Sequence, residues 1–120
     1  MTDLVNNPPH YTSHQSGIEC IEITRHLGFN RGNALKYLWR CGKKDDDEQE
    51  LKKAIWYLKD ELSNNNDVSY GTNIFIINDK LDELVLYQTD QERQLFNLII
   101  FGTQNDLQQA IHTIEGMIDE

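Results

Sequence analysis

The chain has 120 residues, 38% of them hydrophobic, and carries 20 acidic against 11 basic side chains for a net charge of −9. That length suits one domain, or one domain with an appendage, and the charge argues against duplex nucleic acid as main partner, because backbone binding needs a basic surface. No run of about 18 apolar residues occurs, so no membrane span is expected. Met1 to Asn7 shows neither a charged n-region nor an apolar h-region, so we expect no secretory signal and a cytoplasmic protein. Cys20 and Cys41 have no metal-ligand spacing and read as reduced, buried thiols. Residues 1–64 carry 9 Lys/Arg against 10 Asp/Glu, whereas residues 65–120 carry 2 against 10.

Residues 1–16 read as coil, since a residue before proline is pushed out of the α region and Asn6-Asn7-Pro8-Pro9 holds two prolines. His10 and Tyr11 follow, either as an arm anchored over the core by Tyr11 or as one wall of a site. Gly17 to Leu27 has a period near 3.6 and predicts a first helix, with Gly28 as its C-cap. Glu19 and Glu22, one turn apart, fit a solvated face or a pair of metal ligands.

A second helix is predicted from Asn30 or Arg31 to Cys41, ended by Gly42. On a helical wheel Asn33, Lys36, Tyr37 and Arg40 share one side, while Leu35, Leu38 and Trp39 share the other. No acid lies between Glu22 and Asp45, yet Arg25, Arg31, Lys36, Arg40, Lys43 and Lys44 do, which reads as a local anion site. The acidic run Asp45 to Glu48 suits the start of the next helix electrostatically; recruiting Mg²⁺ near a phosphate is the alternative.

Glu48 to Leu62 predicts a third helix with a core stripe of Leu51, Ala54, Ile55, Leu58 and Leu62 and a second stripe of Glu50, Lys53, Tyr57 and Asp60. A short connection predicts an antiparallel pair with the second helix. If the two faces converge, Lys36, Tyr37, Arg40, Lys53 and Tyr57 form a pocket with cations for phosphate and rings for a base or sugar. Trp39 and Trp56 read as ordinary core and boundary aromatics.

Ser63 to Gly71 has the composition of a loop. We therefore divide the chain into a core at 1–63, a linker at 64–72 and an acidic helical extension at 73–120, the whole being all-α. In the extension, Ile74, Ile77, Leu81, Leu84 and Val85 fit a helical stripe, although Ile74 to Ile77 alone would also suit a strand. Asp90 to Phe101 predicts a helix with Asp90 as N-cap. Its Leu95 to Phe101 segment is apolar nearly all round, which points to burial in the core or in a homo-oligomer interface. Gly102 ends it. Thr103 and Asp106 then resemble a capping box before a last helix with Leu107, Ile111, Ile114 and Ile118 in register.

No P-loop, G-x-G-x-x-G, nucleophile elbow or zinc spacing is present. Four ordered blocks, Pro8 to Tyr11, Gly17 to Glu22, Arg31 to Lys44 and Leu51 to Leu58, nevertheless resemble a small phage-encoded family labelled SaV-like or "nucleotide kinase". The resemblance covers about residues 7–62. It implies a P-loop-less phosphotransferase acting on nucleoside monophosphates, with a nucleoside triphosphate and Mg²⁺. Site positions His10, Tyr11, Asn33, Lys36, Tyr37, Arg40, Lys43 and Lys53 follow from it. Arg40, Lys36 and Lys43 would hold the transferring phosphoryl oxygens, and Tyr11 or Tyr37 would stack on the base. The alternatives are sequestration of a nucleotide or nucleotide-derived signal without catalysis, and an acidic effector that docks onto a basic host protein.

Overall fold

The computed structural model describes residues 16–41, 47–64 and 68–119, and every regular element among them is helical. In chain order these are α1 (Ile21–Thr24), α2 (Phe29–Arg40), α3 (Asp47–Asn64), α4 (Asn73–Leu84), a 3₁₀ turn (Val85–Tyr87), α5 (Asp90–Phe101) and α6 (Gln104–Ile118). No helix among the described residues is long and apolar enough to cross a membrane.

The first helix is much shorter than the expected span of Gly17 to Leu27. Gly17 sits at φ +80°, a left-handed conformation that cannot begin a right-handed helix. At the other end His26 N–H bonds Ile23 O and Leu27 N–H bonds Thr24 O, tight i−3 bonds that close the turn early. Gly28 is therefore not the C-cap of α1. It is extended (φ −67°, ψ 170°) and starts α2. Glu22 ties α1 to the residues that precede it and to α4. Its Oε2 accepts the Glu19 backbone N–H at 2.6 Å, and its Oε1 meets Lys80 Nζ of α4 at 3.0 Å. Those contacts, the backbone bond first, hold its carboxyl below the ordinary carboxylate range against an opposing push from burial.

Contacts between α2 and α3 pair the start of one with the end of the other. Asn30 Nδ2 donates to Asp60 Oδ2 at 2.8 Å, whereas Arg40 Nε lies 3.6 Å from Glu50 Oε2. That is the arrangement of two helices running in opposite directions. Two apolar clusters flank the pair. One joins Ala34 of α2 and Leu51, Ala54, Ile55 and Leu58 of α3 to Leu95, Ile99, Leu107, Ala110, Ile111 and Ile114. The other joins Ile18, Cys20, Ile23, Leu35 and Trp39 to Ile77, Leu84, Phe96 and Ile100. Both clusters mix the first and second halves, so residues 73–119 are part of the same packed body.

The two clusters also explain α5. Leu95 and Ile99 face one cluster, Phe96 and Ile100 the other, with Leu98 and Phe101 packed at their edges. A helix that forms the wall between two clusters needs apolar side chains nearly all round. The apolar segment Leu95 to Phe101 is thus consumed within one chain and supplies no reason for a homo-oligomer. Its N-cap is Thr89, not Asp90. Thr89 Oγ1 accepts Glu92 N–H at 3.1 Å while Glu92 Oε1 accepts Thr89 N–H at 3.0 Å. The next helix starts on Asp106 Oδ2, which accepts Thr103 N–H at 3.0 Å.

Arg31 fastens these parts together. Only 3% of it is exposed. Its Nε donates to Glu61 Oε2 of α3 at 2.7 Å, and one terminal nitrogen donates to the carbonyls of Ile99 at 2.9 Å and Gly102 at 2.8 Å. The last carbonyls of a helix carry negative partial charge, and here a guanidinium takes two of them. Gly102 must be small at this point. A Cβ there would lie 2.1 Å from Leu98 O and 2.6 Å from Asp106 Cβ. Beside the clamp the Tyr70 hydroxyl donates to Ile100 O, and burial pushes that phenol up to about 12.

Candidate functional site

On another part of the α2–α3 pair, side chains gather around Tyr37. The Tyr37 ring stacks on Tyr57 of α3, with centroids 5.8 Å apart and planes at 14°. Lys36 Nζ lies 4.8 Å from the Tyr37 centroid, Lys53 Nζ 5.3 Å and the Arg40 guanidinium carbon 5.7 Å. All three are within the range of cation–π attraction. Helix geometry explains the meeting. Lys36, Tyr37 and Arg40 share one face of α2, Lys53 and Tyr57 sit one turn apart on α3, and the antiparallel pairing brings the two faces level.

One carboxylate enters this cluster. Glu50 is buried at 4% exposure, with its Oε2 3.6 Å from Arg40 Nε and its Oε1 4.0 Å from Lys53 Nζ. Both distances are charge contacts, too long for hydrogen bonds. Among the described residues Lys36 has no carboxylate partner.

The rim is aromatic. Phe29 and Trp56 both meet Tyr57 edge-on, with centroids 5.7 Å and 5.0 Å away. They are 75% and 63% exposed. Trp39, by contrast, is 5% exposed and stacks on Phe96. Of the two tryptophans expected as core and boundary aromatics, Trp39 is core, and Trp56 is an exposed ring edge-on to Tyr57.

Asn33 lies on the same helix face, but its Nδ2 folds back to donate to Phe29 O at 2.8 Å. Arg31 does not belong to the anion site that the run of cations suggested, because Glu61 and two carbonyls take up its guanidinium. Tyr37 does not offer a free ring to a base either, since Tyr57 stacks on it and cations surround it. His10, Tyr11 and Lys43 lie outside the described residues. Of the acidic run, Asp47 and Glu48 stand in the first turn of α3, where the helix dipole favours them, and Glu48 pairs with Lys52 at 3.5 Å. Among the described residues no group of three or more His, Cys, Asp or Glu is placed to hold a metal. Glu22 serves α1 and Lys80 rather than a metal.

Cys41 ends α2 with its Sγ 3.5 Å from Tyr37 O. Burial, with Asp47 and Glu50 adding to it, pushes this thiol up to about 12, so it stays neutral and is not a thiolate nucleophile. A groove of about 480 Å³ opens at the start of α2, beside Phe29, Asn30, Arg31 and Tyr70. Of the cations that suggested an anion site, it contains Arg31.

Three contributors were missed in the sequence. Phe29 is one turn before Asn33, so carrying the cationic stripe back by four residues would have reached it. Trp56 adjoins Tyr57 but was assigned to the apolar boundary. Glu50 stood in the second stripe with Lys53 but was not named as a site residue, and nothing local shows that it is buried beside Arg40.

Over residues 5–59 the chain is similar to a protein family described as of unknown function, DUF3310. No curated protein and no solved structure matches. These findings correct the resemblance to phage nucleotide kinases. The matched stretch spans much the same blocks, but the family found there brings no activity with it.

Proposed function

We propose that the α2–α3 face binds a small phosphate-bearing molecule with a flat aromatic base, of the nucleotide class, and that it does so without a glycine-rich phosphate loop. The observation that carries this is the gathering of Lys36, Arg40 and Lys53 around one tyrosine, with Glu50 in charge contact with Arg40 and Lys53. Like charges held together repel, and a bound phosphate removes that repulsion. Charge-assisted hydrogen bonds contribute about 1.5–3 kcal/mol each, so deleting one cation should cost roughly tenfold in affinity or more. Trp56 and Phe29 supply the exposed rings on which a base would lie, worth about 1–3 kcal/mol by stacking.

The form we put forward is binding, as in holding or sequestering a nucleotide. Phosphoryl transfer entered through the kinase resemblance and loses that support with it. Mg²⁺ would arrive as the counter-ion of a nucleoside triphosphate.

Intrinsic fluorescence tests the proposal, because Trp56 is the exposed one of two tryptophans. Nucleoside mono-, di- and triphosphates should quench its emission saturably. Inorganic phosphate should compete for the cations and reverse the quench, and added salt should weaken it. A signal that no nucleotide changes at millimolar concentration would overturn the proposal.

A further inference from the structure

The helix α4 carries a surface of a different kind. In α4 the buried residues Ile77 and Leu84 turn one face to the core. The outward residues are not simply polar. Phe75 is 69% exposed, Ile76 43%, and Leu86, in the 3₁₀ turn that follows, 86%. Tyr87 adds a half-exposed ring at the same end. Between Phe75 and Leu86 stand Asp79, Asp82 and Glu83, all exposed. At about 100° per residue, Phe75, Asp79 and Asp82 fall on one outward stripe, with Leu86 following in line. The one basic residue of α4, Lys80, is engaged by Glu22 at 3.0 Å.

We infer that this face is a docking surface for a basic amphipathic helix of another protein. Large apolar side chains left in water at both ends of an element are costly unless something covers them. The charge pattern decides what. Residues 65–120 carry 10 acidic and 2 basic side chains, so an anionic membrane, a nucleic acid or a second copy of this face would meet like charge. A helix with an apolar stripe flanked by lysines meets both features. Its stripe covers Phe75, Ile76 and Leu86, while its lysine stems run along the apolar surface and their ammonium groups reach Asp79, Asp82 and Glu83. Complementary charge of this kind speeds the encounter and selects the partner. The face is independent of the α2–α3 cluster, so the two proposals stand or fall separately.

The test uses the full chain and a fluorescently labelled 18-residue peptide with leucines at helical spacing and lysines elsewhere. A peptide with glutamate in place of lysine is the control. Anisotropy should show saturable binding of the lysine peptide, weakening as salt rises, and no binding of the glutamate peptide. Phe75→Ser with Leu86→Ser should weaken it at least tenfold. Because both residues are exposed, circular dichroism should show the fold intact. Asp79→Asn with Asp82→Asn and Glu83→Gln should weaken it and flatten its salt dependence. Neutralising Glu115 on α6 and Asp119 just after it should leave it unchanged. Equal binding by the Phe75/Leu86 variant overturns the inference. So does a wild-type dimer that the same variant converts to monomer, since a second copy would then be the occupant.

Discussion

The α2–α3 pair uses an arginine and a glutamate at each end, and the two ends do opposite things. At one end Arg31 and Glu61 meet at 2.7 Å, both nearly buried, and the guanidinium completes its bonds on two carbonyls of the α5 terminus. At the other end Arg40 and Glu50 stand 3.6 Å apart, and Lys36 and Lys53 crowd the same ring. The first end is balanced and saturated, so it stabilises a shape. The second is looser and gathers three cations around one ring. An Arg–Glu pair therefore says little by its composition; what matters is the geometry in which it is held.

The comparison breaks most visibly at Arg31. Arg31→Ala leaves Glu61 buried without its cation and two carbonyls without a donor, a loss of about 3–5 kcal/mol by analogy with other broken buried pairs. Urea unfolding should show it; a loss below about 1 kcal/mol would mean that the clamp is decorative. Gly102→Ala attacks the same junction from the backbone. Its methyl would collide with Leu98 O, and we expect about 1–3 kcal/mol of destabilisation, read as a lower unfolding midpoint.

The same measurements on the other end should go differently. Lys36→Ala with Lys53→Ala should leave stability within about 0.5 kcal/mol of wild type, because Lys53 is exposed and Lys36 half-buried, charges in contact with water contribute little, and these two repel one another. A large loss would place those lysines among the structural residues.

The smallest effect concerns pH. Glu22 has its folded carboxyl held below the ordinary value, first by the Glu19 N–H. Its contribution is present above the unfolded carboxyl value, about 4.3, and is lost as pH falls through the folded one. Being partly exposed, it should contribute less than about 1 kcal/mol. Glu22→Gln should therefore lower stability at pH 7 and make no difference near pH 2. An equal deficit at both would assign the effect to packing rather than charge.

Local periodicity carried much of the fold. The two-sided pattern of α2 and the stripe of α3 placed both helices to within a residue or two, because an amphipathic helix writes its buried face into a short window. The same window shows that Lys36, Tyr37 and Arg40 share a face. Long-range partners leave no such trace. Arg31 looks like a surface cation until Glu61, thirty residues on, and the end of α5 close around it. The segment Leu95 to Phe101 looks like an interface until two clusters of the same chain cover it. Gly17 breaks α1 through a left-handed backbone that glycine permits but does not require.

The central claim, that the loose end of the pair binds an anion while the tight end holds the fold, is tested most directly by titration calorimetry. Nucleotides would be titrated in low salt into wild type and into Lys36→Ala/Lys53→Ala. The account predicts saturable binding to wild type and an affinity roughly a hundredfold lower in the double variant, about tenfold per lysine, with its unfolding midpoint unchanged. Equal affinity in the two proteins, or no heat from either, would contradict it.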